Sequence, residues 1–350
     1  MHRNSQCLEQ ICVDEQVPAK HYIYLPEGYK KKEIKIIKND SCNDFAKLKK
    51  RFLEKLKSPS GKNRFKRYIG STLRYAGGKS LAVGLIVELI PNSAKRIISP
   101  FLGGGAVEIA CAVELGLPVI AFDIFDILVN YWDIQINSPK TLYKKLKQFK
   151  PTRQEFKRVK ERLKRHWLQG DKLSKYDLAA YYYFNSNTSY GPHFLGWPSS
   201  VYLQPKRYRK MIEKVRDFRA SKLKVKCKSF EKVIPKYNND FLFCDPPYYL
   251  DGDSKTFVGM YPHRNFPIHH KNFNHQKLRD LLVKHRGGFI LTYNDCSAIR
   301  KLYKGFEMST PSWQYTFGQG DTRIGANRLK NNNGEYIKKS HELLIWRMPQ

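Results

Sequence analysis

The chain has 350 residues with 41% hydrophobic content, enough for one large domain or two moderate ones. Its 64 Lys and Arg stand against 31 Asp and Glu, a formal charge of +33. That is far more than solubility asks of a surface, so a polyanion held by counterion release is expected, with nucleic acid ahead of a membrane surface. Seven cysteines contain no C-x-x-C pair, which argues against a zinc site or a disulfide framework and for thiols in a reducing cytoplasm. The start runs from Met1 into acids rather than an apolar core, and no apolar run approaches the ~20 residues of a membrane span. A soluble, intracellular protein without a bound metal is expected.

Residues 1–66 read as a basic N-terminal extension. Lys30-Lys31-Lys32 and the basic run at 47–57 suggest a short strand region followed by a helix. Phe45, Leu48, Phe52 and Leu56 recur at roughly helical spacing and make one packing face. Ser58-Pro59-Ser60-Gly61 closes the segment as a linker. A DNA-grasping arm and a solvated extension are both open readings of it.

Next come Leu73-Arg74-Tyr75-Ala76-Gly77-Gly78-Lys79-Ser80 and an apolar helical run at 81–90. Gly-Lys-Ser suggests a phosphate loop, but that pattern needs a glycine where Leu73 stands, and no strong strand precedes it. Nucleotide hydrolysis is therefore rejected. Residues 96–111 read as strand, glycine turn and helix around Pro100-Phe101-Leu102-Gly103-Gly104-Gly105. Three glycines let a backbone pass close to a ligand. A strand at 117–122 ends at Asp123, at the ~20-residue spacing a ribose-binding acid requires. Asp126 reads as the cap of a helix over 127–136.

From 138 to 229 the composition changes to charged helical segments (140–148 and 154–167) and an aromatic run at 178–191. Residues 191–210 read as loops rich in Gly, Pro, aromatics and Arg, suited to phosphate clamping and base contacts. A buried strand, Phe241-Leu242-Phe243-Cys244, then stops at Asp245-Pro246-Pro247-Tyr248. An acid, a carbonyl between prolines and a flat ring suit a planar amine: Asp245 and the Pro246 carbonyl can each accept one hydrogen of an NH2 while Tyr248 stacks. Residues 251–273 read as a lid over the substrate, with His263, His269 and His270 solvated rather than metal-bound. A helix (275–285) and a strand (288–295, with Thr292-Tyr293-Asn294-Asp295) follow, then a loop and strand at 333–346.

In this order, the Gly-Gly-Lys segment, the Pro-Phe-x-Gly-Gly-Gly turn, the acid after the second strand and the Asp-Pro-Pro-Tyr loop resemble the DNA adenine methylase family, the α group of N6-adenine DNA methyltransferases. The resemblance runs from about 73 to 346. It implies an α/β fold: a Rossmann-like methyltransferase sheet with helices on both faces, over 67–137 and 230–350, plus an inserted, mostly helical target-recognition domain at 138–229. It implies S-adenosylmethionine as cofactor, held by Tyr75, Gly78, Lys79, Phe101, Gly103, Gly104, Gly105, Asp123 and Asp245. Lys79 would approach the cofactor's carboxylate. Asp245, Pro246, Pro247 and Tyr248 would be catalytic, and Arg74, Asn185, Asn187, Ser189, Tyr190, Lys206 and Arg207 would contact DNA. The implied protein is a monomer on double-stranded DNA in a bacterial cytoplasm or nucleoid, in a restriction-modification or epigenetic setting, with a companion restriction endonuclease in the former. The family's Asp-Ile-Asn is here Asp123-Ile124-Phe125, and the Asn-Gly-Leu-x-Arg of GATC-methylating members is absent, so no target is assigned. The alternatives are an RNA adenine methyltransferase, a DNA N4-cytosine methyltransferase and a non-catalytic DNA-binding protein. The last leaves Asp123, Asp245 and the triple glycine without a purpose.

Overall fold

In the computed structural model, residues 41–58, 64–192, 194–249, 273–311 and 342–350 are described. The expected strand region before residue 41, the linker beyond Ser58, the lid with its three histidines up to residue 272, and the closing loop at 333–340 lie outside the described residues.

Seven strands are present among the described residues: β1 Ile97–Ser99, β2 Val119–Asp123, β3 Leu223–Cys227, β4 Phe241–Cys244, β5 Phe289–Asn294, β6 Glu307–Ser309 and β7 Glu342–Arg347. They form one sheet in the order β3-β2-β1-β4-β5-β7-β6. The first five run parallel, and β7 enters antiparallel between β5 and β6. Every position of β4 and β5 is buried, as continuous apolar runs must be when helices cover both faces. Alternate side chains supply two separate core layers, Phe241 and Phe243 to one, Leu242 and Cys244 to the other. Helices α1 Ser41–Leu56, α2 Val83–Leu89, α3 Ala106–Ile109 and α4 Asp126–Asn137 pack into the first layer. α9 Phe230–Lys236, α10 His275–Lys284 and α11 Ser297–Leu302 pack into the second. This is the mixed α/β, Rossmann-like architecture expected. Among the described residues, no helix is long and apolar enough to cross a membrane.

The region expected as an insert holds α5 Pro139–Leu146, α6 Arg153–Gln169, α7 Lys175–Thr188 and α8 Pro205–Asp217. These helices are not a body apart. Leu146, Phe156, Tyr183, Phe184 and Val215 join one continuous core with Tyr131 and Trp132 of α4. Its expected end at residue 229 is also too late, because β3 lies within it and pairs with β2 in the sheet. β3 is an edge strand, and its exposed Lys224 and Lys226 discourage pairing with another chain.

Two further expectations change. Residues 205–210 are not loop but the start of α8. Pro205 opens the helix, and Tyr208, Ile212 and Val215 bury one stripe of it. Nor is α1 part of an extension: Phe45, Phe52 and Leu56 are buried in the core, although Leu48 stays exposed. Lys49 Nζ donates to the Glu88 carbonyl at 3.0 Å and also to that of Ile90, a cation at the negative end of α2.

Candidate active site

The sheet order reverses at β1, which has β2 on one side and β4 on the other. Such a reversal opens a crevice at the carboxyl ends of the strands. Into it run the loop after β1, with the three glycines, and the loop after β4, with Asp245. The two stretches singled out in the sequence are therefore neighbours in the fold.

Positive φ at Gly103 (48°) and Gly105 (65°) bends the first loop, a conformation that costs an L side chain energy. Leu102 N–H donates to Phe122 O at 2.8 Å, which ties the loop to the end of β2. Asp123 Oδ2 accepts from Gly103 N–H and Oδ1 from Phe125 N–H, both at 3.0 Å. Trp132 Nε1 donates to Gly103 O at 3.0 Å. Tyr75 packs on the glycines so closely that a Cβ on Gly104 would lie 2.7 Å from Tyr75 Cβ. Tyr75, the glycine turn and Asp123 thus form one cradle. Phe101 turns elsewhere and packs with Phe230 and Phe273 at 5.5 and 5.7 Å between ring centroids. Asp126 does not cap α4 through its side chain from the capping position, which Phe125 holds; it sits in the first turn. The Phe125 ring packs against Trp167, Tyr182 and Phe194, joining the end of β2 to the helices of the insert region.

The second loop is held more tightly than its sequence suggested. Asp245 Oδ1 lies 2.7 Å from Lys79 Nζ and accepts from Thr292 Oγ1 at 2.6 Å. Lys79 is buried and also donates to Gly77 O at 2.8 Å. It meets Asp245, where the resemblance had directed it to a cofactor carboxylate. Gly78 lies in the same turn, its N–H on the Tyr75 carbonyl. Tyr248 is buried, not a free stacking face: its hydroxyl bonds Glu342 at the start of β7, and Lys79 Nζ lies 4.9 Å from its ring centre. Asn294, at the end of β5, accepts from Tyr249 N–H at 3.0 Å and donates to Tyr249 O at 2.9 Å. Pro246 is buried and Pro247 half-buried. Thr292 and Glu342 lie in strands expected from the sequence, but their bonds to Asp245 and Tyr248 join residues distant in the chain and were not foreseen. The clamp of Asn294 on Tyr249 was likewise not foreseen.

Beneath the crevice, Glu108 of α3 is buried and accepts from Ser99 Oγ at 2.6 Å. Burial raises its carboxyl from 4.5 to about 8. The folded protein therefore holds a proton that the unfolded chain releases between pH 4.5 and 8, so stability falls as pH rises through that window. At about 1.4 kcal/mol per unit, the loss is on the order of 5 kcal/mol. Glu108→Gln is expected to flatten this fall, which calorimetric melting of both proteins from pH 5 to 8.5 would reveal. Parallel curves would refute it.

The residues expected on DNA divide into two groups. Asn185, Asn187 and Ser189 are buried. A buried amide needs partners within the protein, and these find them except at Asn185 Nδ2, which has none among the described residues. Asn187 accepts from Arg74 N–H at 2.6 Å and donates to Thr72 O at 3.0 Å. Asn185 accepts from Leu195 N–H at 2.8 Å, and Ser189 Oγ donates to Asn185 O at 2.6 Å. Arg74 is drawn inward too, with its guanidinium on the carbonyls of Asn187 and Ser189 and over the Tyr202 ring at 3.5 Å. Burial lowers its pKa to about 10. Arg74 and Asn187 fasten the end of α7 to the segment that leads into Gly-Gly-Lys, while Asn185 and Ser189 brace the turn after the helix. Tyr190, by contrast, is 52% exposed, and Lys206 and Arg207 on the first turn of α8 are exposed as well. Trp197, whose carbonyl accepts from Tyr190 N–H at 2.8 Å, is 72% exposed with Lys160 Nζ 4.8 Å from its ring centre.

A family model for the D12 class N6 adenine-specific DNA methyltransferases matches residues 75–317. The chain is also 25% identical over 255 residues to a Type II methyltransferase, M1.LlaDCHI, of Lactococcus lactis subsp. cremoris; the match covers 67% of this chain and 84% of that protein. The match spans well over half of the sequence, includes both loops of the crevice and coincides with the sheet order on which they meet. The chain belongs to the D12 class N6 adenine-specific DNA methyltransferase family.

Proposed function

We propose that this chain is a site-specific DNA methyltransferase that moves a methyl group from S-adenosylmethionine to N6 of an adenine swung out of the duplex. The observation that carries the reading is the pairing of the Asp245-Pro246 loop with the glycine turn across one crevice. The residues present suit the cofactor. Gly103, Gly104 and Gly105 under Tyr75 offer a close backbone approach, and the half-exposed Asp123 stands beside them for the ribose hydroxyls. Bound there, S-adenosylmethionine supplies a methyl on a sulfonium, whose bonding pair departs on sulfur as the carbon–nitrogen bond forms.

The chain's own residues do the rest. Extruding the adenine costs on the order of a few kcal/mol, which groove and phosphate contacts offset. The N6 lone pair is delocalised into the ring and poorly nucleophilic. Asp245 and the Pro246 carbonyl accept its two hydrogens, draw the amine toward tetrahedral geometry and stabilise the positive charge growing on nitrogen. The surplus proton leaves along the hydrogen bond to Asp245. In-line positioning supplies much of the remaining acceleration.

Target recognition falls to the helices within 138–217 and the turn that carries Tyr190 and Trp197, with Lys206 and Arg207 on phosphates. The enzyme acts as a monomer in the compartment that holds DNA. A companion nuclease is in keeping with the Type II methyltransferase among its relatives. Duplex DNA treated with the purified protein and S-adenosylmethionine, then read by nanopore sequencing, should carry N6-methyladenine in one sequence context. Methylation of cytosine alone, or of RNA but not DNA, would replace this reading.

A further inference from the structure

Asp245 is gripped from one side only. Both donors that reach it, Lys79 Nζ at 2.7 Å and Thr292 Oγ1 at 2.6 Å, converge on the same oxygen, Oδ1. Among the described residues, Oδ2 takes no hydrogen bond, and the side chain is 22% exposed. Two donors on one oxygen stop the carboxylate from rotating and leave the other oxygen facing outward. Neither donor can easily drift. Thr292 lies in β5 between β4 and β7, paired with Leu344. Lys79 is buried, with its ammonium also on the Gly77 carbonyl.

Resting on the methyltransferase reading above, we infer that Lys79 and Thr292 are positioning residues that fix Asp245 through Oδ1, so that Oδ2 is the oxygen that receives the adenine amine. Lys79 then serves the acid rather than the cofactor. Thr292 gains a part in the reaction without touching either reactant. The arrangement also explains why the lysine beside two glycines lies in the protein interior: its partner is the carboxylate across the crevice.

The test uses the full chain, duplex DNA and S-adenosylmethionine, and compares Thr292→Val, Thr292→Ser and Lys79→Met. Calorimetry gives cofactor affinity, and single-turnover transfer gives the rate at saturation. Cofactor affinity should stay within ~3-fold, while the rate falls on the order of 10–100-fold in Thr292→Val and Lys79→Met, the worth of one hydrogen bond to a charged group. Thr292→Ser, which keeps the hydroxyl, should stay near the wild-type rate. In an Asp245→Asn background the same two changes should cost less than ~3-fold, since non-additivity marks groups that act through a shared partner. A general loss of packing would cost the same in both backgrounds. Thr292→Ala and Lys79→Gln give the same contrast if either first variant loses its near-UV circular dichroism. Unchanged rates beside an active wild type overturn the inference, as does a Lys79→Met protein with at least tenfold weaker cofactor binding and an intact saturated rate. A wild type that transfers no methyl to adenine sinks the functional reading itself, and the clamp with it.

Discussion

Asp245→Ala is expected to keep duplex binding and to lose methyl transfer by at least ~100-fold, the scale of removing one preorganised polar contact to a developing charge. The substitution deletes the oxygen that would face the amine and also strands Lys79. That ammonium is buried and, among the described residues, retains only the Gly77 carbonyl as an oxygen partner. Leaving one partner of a largely buried ion pair uncompensated costs ~3–5 kcal/mol, at the lower end here because Asp245 is partly open to solvent. The melting temperature should fall alongside the rate, so transfer must be measured well below it. Asp245→Asn keeps an oxygen at one of the two positions and should lie between wild type and Ala in both respects. Fluorescence anisotropy on a labelled duplex, run beside a transfer assay, separates binding from chemistry. Turnover near wild type in the Ala variant would remove Asp245 from the reaction.

Gly104→Ala should be the most damaging single-methyl change on the cofactor side of the crevice. The added Cβ would lie 2.7 Å from Tyr75 Cβ and 3.4 Å from Tyr75 Cγ. Tyr75 meets it with the root of the side chain, so no rotamer change relieves the clash. Either the Gly-Gly-Lys segment moves or the glycine turn does. Overpacking of this kind costs ~1–3 kcal/mol, about 5- to 150-fold if it falls on cofactor affinity. Gly104 has no positive φ, unlike its neighbours Gly103 and Gly105, so the effect isolates crowding from backbone strain. Calorimetric titration with S-adenosylmethionine should show weaker binding while the saturated rate changes little. Unaltered affinity would mean that the cofactor lies elsewhere.

The parts of this molecule that were legible in the sequence are those whose cause is local. An apolar run stopped by Asp245 and two prolines is a strand and a loop wherever it occurs, and β4 ends where the run ends. Three glycines between an apolar run and a helix likewise announce a turn, which Gly103 and Gly105 make with positive φ. What stayed hidden depends on contacts between distant residues. The bond from Thr292 to Asp245 shows only once β5 lies beside β4. Asn185 and Asn187 read as surface polar groups because nothing in the segment reveals that Thr72, Arg74 and Leu195 will surround them with backbone partners. α8 was hidden differently. Its Tyr208, Ile212 and Val215 stripe was present, but the prolines and glycines before it drew attention to loops.

The placement of β7 has a consequence for the order in which the enzyme becomes competent. This strand comes from residues 342–347 yet lies between β5 and β6. It carries Glu342, whose carboxylate receives the Tyr248 hydroxyl from 94 residues earlier. A nascent chain can therefore assemble the parallel half of the sheet while it is still being made. Tyr248 meets its Glu342 partner only once that late strand has emerged, and β5 keeps an open flank until then. The sheet therefore closes on that flank only after residue 347 has been made.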